Sequence, residues 1–301
     1  MRGAWSNVAE VRGFDNEVID ASVIVCVRNG ADRMRRQIDA LLAQEWNRPW
    51  EIIVVDNGST DDTPRVAAAY ARRDERVRVV DAAERAGLSY ARNVGVARAC
   101  GRSVIFCDDD DRVAVGWLQA MGDALREHEL VAPRMEYAEL SEAAALTGRA
   151  DFQSTGLESA FGYPIVNGVA GWRRDLWLSL GGNDESLDFS GEDHDIALRA
   201  HLEAGVTPYF CADATYHCGR RAGRGPTFRQ ARRYGRAQVV LARRYGRGRP
   251  GERQPLATVA RQWAWLVKHL PDAVDADRGT YWSWRAGLRI GRLEANLRRS
   301  R

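Results

Sequence analysis

The first 110 residues alternate between short apolar runs and segments that carry apolar residues at helical spacing. The apolar runs are rich in β-branched residues and predict buried strands at 22–27, 50–55, 76–80 and 103–107. The segments between them predict helices at 31–45, 62–74 and 88–100. Continuous apolar strands that alternate with helices are typical of a parallel sheet with helices on both faces. The sequence therefore predicts an α/β fold for this part of the chain.

The second half of the chain has a weaker pattern. Its expected elements are, in order, a helix at 113–127, loops with short regular pieces at 133–168, a helix from about Glu192, and short strands at 206–211 and 214–217. Residues 226–299 have helical periodicity that is interrupted at Pro250, Pro255 and Pro271.

Acid-rich stretches follow two of the predicted strands. Asp56 opens the stretch DNGSTDDT after the second strand, and Asp108–Asp111 follow the fourth. Ligands of open parallel sheets bind outside the carboxyl ends of the strands, so both stretches should face one crevice. Four adjacent carboxylates repel one another, and we expect water, a helix N-terminus or a bound cation to compensate them.

Helix capping is the structural alternative for several of these acids. Ser59 with Asp62, and Ser190 with Asp193, have the spacing of a capping box. Asp111 fits an N-cap for the helix at 113–127. One cap needs one acid, so capping leaves the rest of the four-aspartate run unexplained.

Asp56, Asp108 and Asp110 have the chemistry of a ligand site. A carboxylate at the position of Asp56 can accept hydrogen bonds from a nucleobase or a ribose hydroxyl. Asp108 and Asp110 form a D-x-D pair that can hold one Mg²⁺ or Mn²⁺ together with the phosphates of a substrate. In the segment GED, Asp193 on the first turn of a helix would stay ionised and could act as a general base.

Composition narrows the class of protein. The net charge of +3 is too small to indicate a nucleic-acid partner. No apolar run approaches the roughly 20 residues that cross a bilayer, and the N-terminus lacks the apolar core of a signal peptide. The five cysteines are odd in number and match no zinc spacing, which is typical of reduced cysteine. We therefore expect a cytoplasmic protein, or one at the inner face of a membrane.

The ordered motifs resemble glycosyltransferase family 2. They are SVIVCVRN, WEIIVVDNGSTDDT, GLSYARNVGVARACGRSVIFCDDDD, GGNDE and GED, and they extend over roughly residues 20–220. The resemblance implies a GT-A fold, with a Rossmann-like, mostly parallel sheet and helices on both faces. It also implies a nucleotide-diphospho-sugar donor (a UDP-sugar is favoured), a divalent metal (Mn²⁺ or Mg²⁺), and inversion at the anomeric carbon by direct displacement.

The resemblance also divides the chain. A GT-A catalytic domain is expected at 1–222, with a donor half at about 20–112 and an acceptor half at about 113–222. A helical C-terminal extension is expected at 223–301. The membrane helices of processive polysaccharide synthases are absent from the sequence, and the segment nearest to their Gln-x-x-Arg-Trp motif, Gln230 to Tyr234, lacks the Trp. This indicates the addition of one sugar to an acceptor that is a small molecule, a peptide or a glycan.

Site residues follow from matching positions to the motifs of the family. The residues that the resemblance places against the donor are Val27, Arg28, Asp56, Arg85, Arg92, Asp108 and Asp109. The resemblance makes Asp110 a metal ligand, places His217 where some members of the family have a further ligand, and makes Asp193 the general base. We also expect Arg220 to contact the diphosphate, and Trp172, Asp184 and Glu192 to contact the acceptor.

Two other functions remain open at this point. A nucleotidyltransferase also uses carboxylates at strand ends, but it would usually have a Gly-rich loop after the first strand, where this chain has only Gly30. A binding module could keep the fold without turnover, although the presence of Asp110 and Asp193 argues against it.

The C-terminal third is basic and carries four tryptophans among arginines: Trp263, Trp265, Trp282 and Trp284. Such helices can pack on the catalytic domain or on a second copy of the chain. They can also lie on an anionic membrane surface.

Overall fold

The computed structural model describes residues 18–136, 158–160, 163–187, 190–219, 223–246, 256–275 and 278–297. The strands are β1 (Ala21–Val27), β2 (Trp50–Asp56), β3 (Val77–Asp81), β4 (Ser103–Asp108), β5 (Arg112–Val113), β6 (Leu130–Glu136), β7 (Glu158–Ala160), β8 (Tyr163–Ile165), β9 (Gly171–Arg173) and β10 (Tyr209–His217). The helices are α1 (Arg33–Leu42), α2 (Thr63–Arg73), α3 (Leu88–Arg98), α4 (Trp117–Glu127), α5 (Arg174–Ser179), α6 (Glu192–Ala204), α7 (Arg224–Tyr245), α8 (Leu256–Lys268) and α9 (Gly279–Leu297), and a 3₁₀ helix spans Leu270–Ala273.

Eight of the strands form one sheet, in the order β3-β2-β1-β4-β9-β6-β10-β5. The pairs among β3, β2, β1 and β4 are parallel, and so is the pair of β6 with β10. Only β9 and β5 run against their neighbours. The predicted α/β fold with a mostly parallel sheet is therefore confirmed.

Apolar side chains of the central strands point to both faces of the sheet. In β1, Val23 and Val25 join the core cluster that includes Met34 of α1, whereas Ile24 joins the cluster that includes Ala91 of α3. Helices α1, α2 and α4 cover the first face, and α3, α5 and α6 cover the second. This two-sided burial explains why the strands read as continuous apolar runs.

Several sequence-based expectations need correction. The three proposed caps are absent: α2 begins after Asp62, α6 begins after Gly191, and neither has a side-chain cap. The helix expected from residue 113 begins at Trp117 and follows Gly116, so Asp111 does not cap it. The two short strands expected at 206–217 are one strand, β10, with a register irregularity between Cys211 and Thr215.

The helices after residue 223 include a tightly packed pair, α7 and α9. A Cβ added to Gly235 would lie 2.2 Å from the carbonyl oxygen of Leu288. Gly287 and Gly291 of α9 approach the backbone of α7 just as closely. Glycine at these positions lets the two helix backbones touch. Of the expected interruptions, Pro271 lies in the 3₁₀ helix, and Pro250 and Pro255 lie outside the described residues.

Among the helices of the described ranges, none combines the length and the apolar character that a membrane span requires.

Candidate active site

The two acid-rich stretches meet at one edge of the sheet. Asp56 pairs in register with Val27 at the end of β1, on one side of that strand. Asp108 pairs with Cys26, one residue earlier, on the other side. The carboxyl ends of β2, β1 and β4 therefore present Asp56 and Asp108 on the same edge, as the parallel topology requires.

The loop after Asp56 is organised by contacts with two asparagines. Asp56 Oδ1 accepts a hydrogen bond from the Ser59 backbone N–H at 3.1 Å. Ser59 Oγ accepts one from the Asn29 backbone N–H at 2.9 Å. Asn57 Nδ2 donates to the carbonyls of Ala82 and Arg85, at 2.7 and 2.8 Å. The contact with Asn29 occupies the Ser59 hydroxyl, which the sequence predicted as part of a cap for α2.

Three residues of the four-aspartate turn contact different parts of the chain. Arg33 Nη2 lies 2.8 Å from Asp109 Oδ2. Asp111 is buried, and its Oδ1 accepts a hydrogen bond from the Gly219 backbone N–H at 2.6 Å. The carbonyl of Asp110 accepts one from Arg36 Nη2 at 2.7 Å. The turn thus joins α1 to the end of β10 and leads into β5 rather than into a helix.

Burial, and then the neighbouring carboxylates, raises the pKa values of three residues in this turn. Burial, then the charge of Asp110, raises the pKa of Asp109 to about 6. Burial, then the charges of Asp108 and Asp110, raises that of Asp111 to about 8. Desolvation also raises the pKa of Asp108; the Arg92 guanidinium lowers it, and Asp110 and Asp193 raise it further. The turn therefore concentrates negative charge that a cation would relieve.

Arg92 connects this turn to the helix that carries Asp193. It is 4% exposed, and its Nη2 lies 3.4 Å from Asp108 Oδ1. Its Nη1 lies 3.0 Å from Glu192 Oε1. Gly168 makes room for it, since a Cβ at Gly168 would lie 2.5 Å from Arg92 Nη2. One buried guanidinium therefore holds the end of β4 and the first turn of α6 together.

Asp193 lies on the first turn of α6. Its Oδ1 accepts a hydrogen bond from the His194 backbone N–H at 2.8 Å. Its charge is close enough to affect the pKa values of both Asp108 and Glu192. Burial, then this charge, raises the pKa of Glu192 to about 7, against the opposing effect of Arg92. Arg92, which contacts Asp108 and Glu192, therefore connects the turn that carries Asp193 to the end of β4.

His217 ends β10, in the region of the same turn. Its Nδ1 lies 2.7 Å from Glu136 Oε2. A Cβ at Gly219, two residues later, would lie 2.2 Å from the carbonyl oxygen of Asp110, so this end of β10 touches the turn. Among the side chains that the structure describes, no three His, Cys, Asp or Glu residues are grouped so that they could hold a metal.

Other residues predicted for the donor have varied surroundings. Arg28 is exposed. The side chain of Arg85 is 59% exposed, and its Nη1 lies 2.5 Å from Glu185 Oε2. The side chain of Val27 is 2% exposed and packs in the core, so Val27 could meet a donor only through its backbone. Arg220 lies outside the described residues.

Of the three residues predicted to contact the acceptor, Trp172 is a core residue. Its side chain is 2% exposed, and its ring meets that of Trp177 edge-on at 5.3 Å, because β9 lies between β4 and β6. It is therefore not available to an acceptor. Asp184 borders a cavity of about 270 Å³ and lies 2.6 Å from Arg244 Nη1. Glu192 is buried against Arg92, as described above.

Two buried residues that were not predicted from the sequence, Tyr216 and Gln37, bind the backbone on either side of the aspartate turn. Tyr216 is fully buried, and its hydroxyl accepts a hydrogen bond from the Asp108 backbone N–H at 2.9 Å. Gln37 Oε1 accepts one from the Val113 backbone N–H at 3.1 Å, and its Nε2 lies 3.4 Å from the same hydroxyl. A glutamine on the apolar face of a predicted helix was the available signal, since a buried amide needs partners.

Comparison with known proteins agrees with this geometry. The family model described as Glycosyl transferase family 2 matches residues 22–150. YibD of Escherichia coli K12, an uncharacterized glycosyltransferase, is 39% identical over 98 residues, which are 33% of this chain and 28% of YibD. TuaG of Bacillus subtilis 168, a putative teichuronic acid biosynthesis glycosyltransferase, is 40% identical over 91 residues, 30% of this chain and 36% of TuaG. The alignments thus span about a third of each relative.

Solved structures extend the likeness to most of the chain. The mannosyltransferase PcManGT of Pyrobaculum calidifontis, in complex with GDP-Man and Mn²⁺, has a TM-score of 0.64 at 20% identity and covers 92% of this chain and 87% of its own. TarS 1–349 of S. aureus, in complex with UDP-GlcNAc, has a TM-score of 0.56 at 20% identity, over 94% and 93% of the two chains. Together with the sheet order, this shows that the chain has the GT-A fold, and that its residues 22–150 are similar to glycosyltransferase family 2.

Proposed function

We propose that this chain is a metal-dependent, inverting glycosyltransferase. It moves one sugar from a nucleotide-diphospho-sugar to a nucleophile on a small molecule, a peptide or a glycan. Support comes from the structural neighbours: PcManGT is in complex with GDP-Man and Mn²⁺, and TarS is in complex with UDP-GlcNAc. A UDP-sugar is the favoured donor.

The observation that carries the proposal is the buried position of Arg92 between Asp108 and Glu192. Asp108 belongs to the D-x-D pair, and Glu192 adjoins Asp193. A direct displacement needs a group that stabilises the leaving diphosphate and a base on the opposite side of the anomeric carbon. Arg92 fixes the distance between the segments that would supply these two groups.

The donor would lie across the carboxyl ends of β2, β1 and β4. Asp56 is placed to accept a hydrogen bond from the nucleobase or ribose. Arg28, which is exposed, and Arg85, which is largely exposed, can approach the donor from the rim, and Arg220 would add positive charge near the diphosphate. These charges favour binding of the nucleoside diphosphate both before and after transfer.

The residues at the aspartate turn fit a divalent cation. Asp108 and Asp110 offer carboxylate oxygens, which Mg²⁺ and Mn²⁺ prefer, and oxygens of the donor phosphates would complete the ligand set. Burial, and then the charges of neighbouring aspartates, raises the pKa values of Asp109 and Asp111, and a cation bound nearby would lower them. His217 is a further candidate ligand from β10. A cation held there supplies positive charge that stabilises the departing diphosphate.

Asp193 would act as the general base. Its carboxylate lies on the first turn of α6, next to Glu192, which Arg92 holds. It takes the proton from the acceptor nucleophile as that atom attacks the anomeric carbon. The bond to the diphosphate breaks in the same displacement, so the configuration inverts and no sugar–enzyme intermediate forms.

Calorimetric titration tests the proposal directly. Wild-type protein and Asp110→Ala would be titrated with UDP, GDP and TDP, each with and without Mn²⁺. The proposal expects Mn²⁺-dependent binding of one nucleotide that is lost in Asp110→Ala. Absence of nucleotide binding under every condition would contradict it. Glu203→Gln, an exposed change on the last turn of α6, is the matched control and should bind like wild type.

The partner of the C-terminal helices is a separate proposal. Val267, Leu270 and Val274 are exposed on α8 and the segment that follows it. They would contact a second copy of the chain or an anionic membrane surface, and sedimentation velocity with and without anionic vesicles distinguishes the two.

A further inference from the structure

Asp195 is a buried carboxylate that the proposed reaction does not use. It is 1% exposed and lies on the first turn of α6, two residues after Asp193. Its Oδ2 accepts a hydrogen bond from Arg199 Nε, one turn later in the same helix, at 2.9 Å. A buried charge without partners is costly. The groups that bind Asp195 therefore show which parts of the chain it connects.

Two of those groups come from the C-terminal end of α7. Arg244 Nη1 lies 2.9 Å from Asp195 Oδ1, and the Tyr245 hydroxyl donates to the same oxygen at 2.6 Å. Burial and the neighbouring carboxylate raise the pKa of Tyr245, so its hydroxyl keeps the proton that it donates. Asp195 therefore joins the first turn of α6 to a helix of the C-terminal extension.

The same arginine also reaches the loop before α6. Arg244 Nη1 lies 2.6 Å from Asp184 Oδ2, and its Nη2 lies 3.3 Å from Ser186 Oγ. Arg199 donates to the carbonyls of Leu180 and Gly182, at 2.5 and 2.7 Å, and so ties α6 to the same loop. The loop, α6 and α7 thus form one connected polar cluster.

This cluster stabilises a helix start that has no side-chain cap. The N-cap of α6 is Gly191, with a φ of 92° that favours glycine. A Cβ there would lie 3.0 Å from Ala237 Cβ and 3.2 Å from Leu241 Cδ1, so α7 packs directly on it. A first turn without a cap frays unless other groups hold it, and here the contacts of α7 do so.

We propose that Arg244 and Tyr245 are positioning residues for the general base. They bind Asp195, and Asp195 fixes the helical turn that carries Asp193. The C-terminal extension therefore contributes to the geometry of the active site. This inference rests on the proposed function. A displacement of the base by about 1 Å can lower a rate roughly 10²-fold, so the contact has a measurable consequence for turnover.

The test compares Tyr245→Phe, Arg244→Gln and Arg244→Lys with Arg243→Gln. Arg243 is the matched control, because it lies beside Arg244 but donates to Ala295 and Asn296 of α9. Two quantities are measured on the full chain: Mn²⁺-dependent UDP affinity by calorimetry, and release of UDP from a UDP-sugar at saturating concentration. Amide hydrogen exchange of residues 192–196 is followed in parallel.

The proposal expects turnover to fall roughly 10- to 100-fold in Arg244→Gln, and less in Tyr245→Phe, with UDP affinity unchanged. Arg244→Lys should recover part of the rate, and exchange at 192–196 should rise only in the Arg244 and Tyr245 variants. Unchanged turnover and exchange in Tyr245→Phe and Arg244→Gln would overturn it, as would an equal effect of Arg243→Gln. If wild type neither binds nor cleaves a donor, the proposed function fails, while the exchange data still decide whether α7 holds this turn.

Discussion

Arg92 Nη1 lies 3.0 Å from Glu192 Oε1, although the two residues are 100 positions apart in the sequence. Both side chains are buried, and the same guanidinium reaches Asp108. The contact therefore links α3, which carries Arg92, to the helix that carries the proposed base. Its removal would leave buried charges without a partner.

We expect Arg92→Met to lower the free energy of unfolding by about 3–5 kcal/mol, because a broken buried ion pair leaves Glu192 uncompensated. Urea denaturation measures this change. The control is Arg65→Met, which removes a pair with Asp62 whose side chains are 71% and 66% exposed and should cost about 1 kcal/mol or less. Equal losses in the two variants would show that the Arg92 contact has no special energetic role.

The pH dependence of the free energy of unfolding should include a contribution from the titration of Glu192. Its pKa is raised from 4.5 to about 7, so the folded state binds the proton more tightly than the unfolded state does. The stability that the protonated form contributes is present below pH 4.5 and is lost as the pH rises toward and through 7. Glu192→Gln lacks this titration. In EDTA, the free energy of unfolding of wild type minus that of Glu192→Gln should therefore decrease between pH 4.5 and 7. A difference that stays flat or increases over that range would contradict the assignment.

Asp193→Asn should abolish most turnover and leave donor binding intact. Loss of a general base lowers rates by about 10²- to 10⁴-fold, whereas the proposed nucleotide contacts lie at the strand ends, away from this side chain. The measurement is UDP release from a UDP-sugar, together with the calorimetric affinity for UDP and Mn²⁺. Glu203→Gln on the same helix should behave as wild type in both. Full activity of Asp193→Asn would assign the base to another residue.

The packing of α7 on α9 should not tolerate a methyl group at Gly235. The added Cβ would lie 2.2 Å from the carbonyl oxygen of Leu288, so Gly235→Ala should cost about 1–3 kcal/mol in a thermal or urea titration. Gly225→Ala is the control on the same helix, because its nearest neighbour is the flexible end of Arg229 at 3.5 Å. Its stability should be unchanged or slightly higher. A Gly235→Ala protein as stable as the control would mean that the helices separate without cost.

Much of the fold could be predicted because burial on both faces leaves a simple pattern. The strands of the first 110 residues lie within one residue of the predicted bounds, and the helices begin and end within three. The acidic strand ends also follow from parallel topology, since Asp56 and Asp108 must share an edge once β1 lies between them.

The incorrect predictions involve contacts between distant segments. Ser59 has the local spacing of a cap, but its hydroxyl accepts from Asn29 instead. Asp111 precedes β5, which is only two residues long and forms only because β10 pairs with it. Trp172 lies beside arginines in the sequence, and its burial depends on the position of β9 within the sheet. Local periodicity contains no information on these pairings.

The position of β9 has a consequence for synthesis of the chain. β4 is complete at Asp108, but its second edge is paired only by β9, which ends at Arg173. During translation, at roughly 5–20 residues per second, the edge of β4 stays open for several seconds. An unpaired edge strand can pair with another chain, so nascent chains that stall before residue 171 should aggregate on crowded polysomes, whereas chains released after β9 should not.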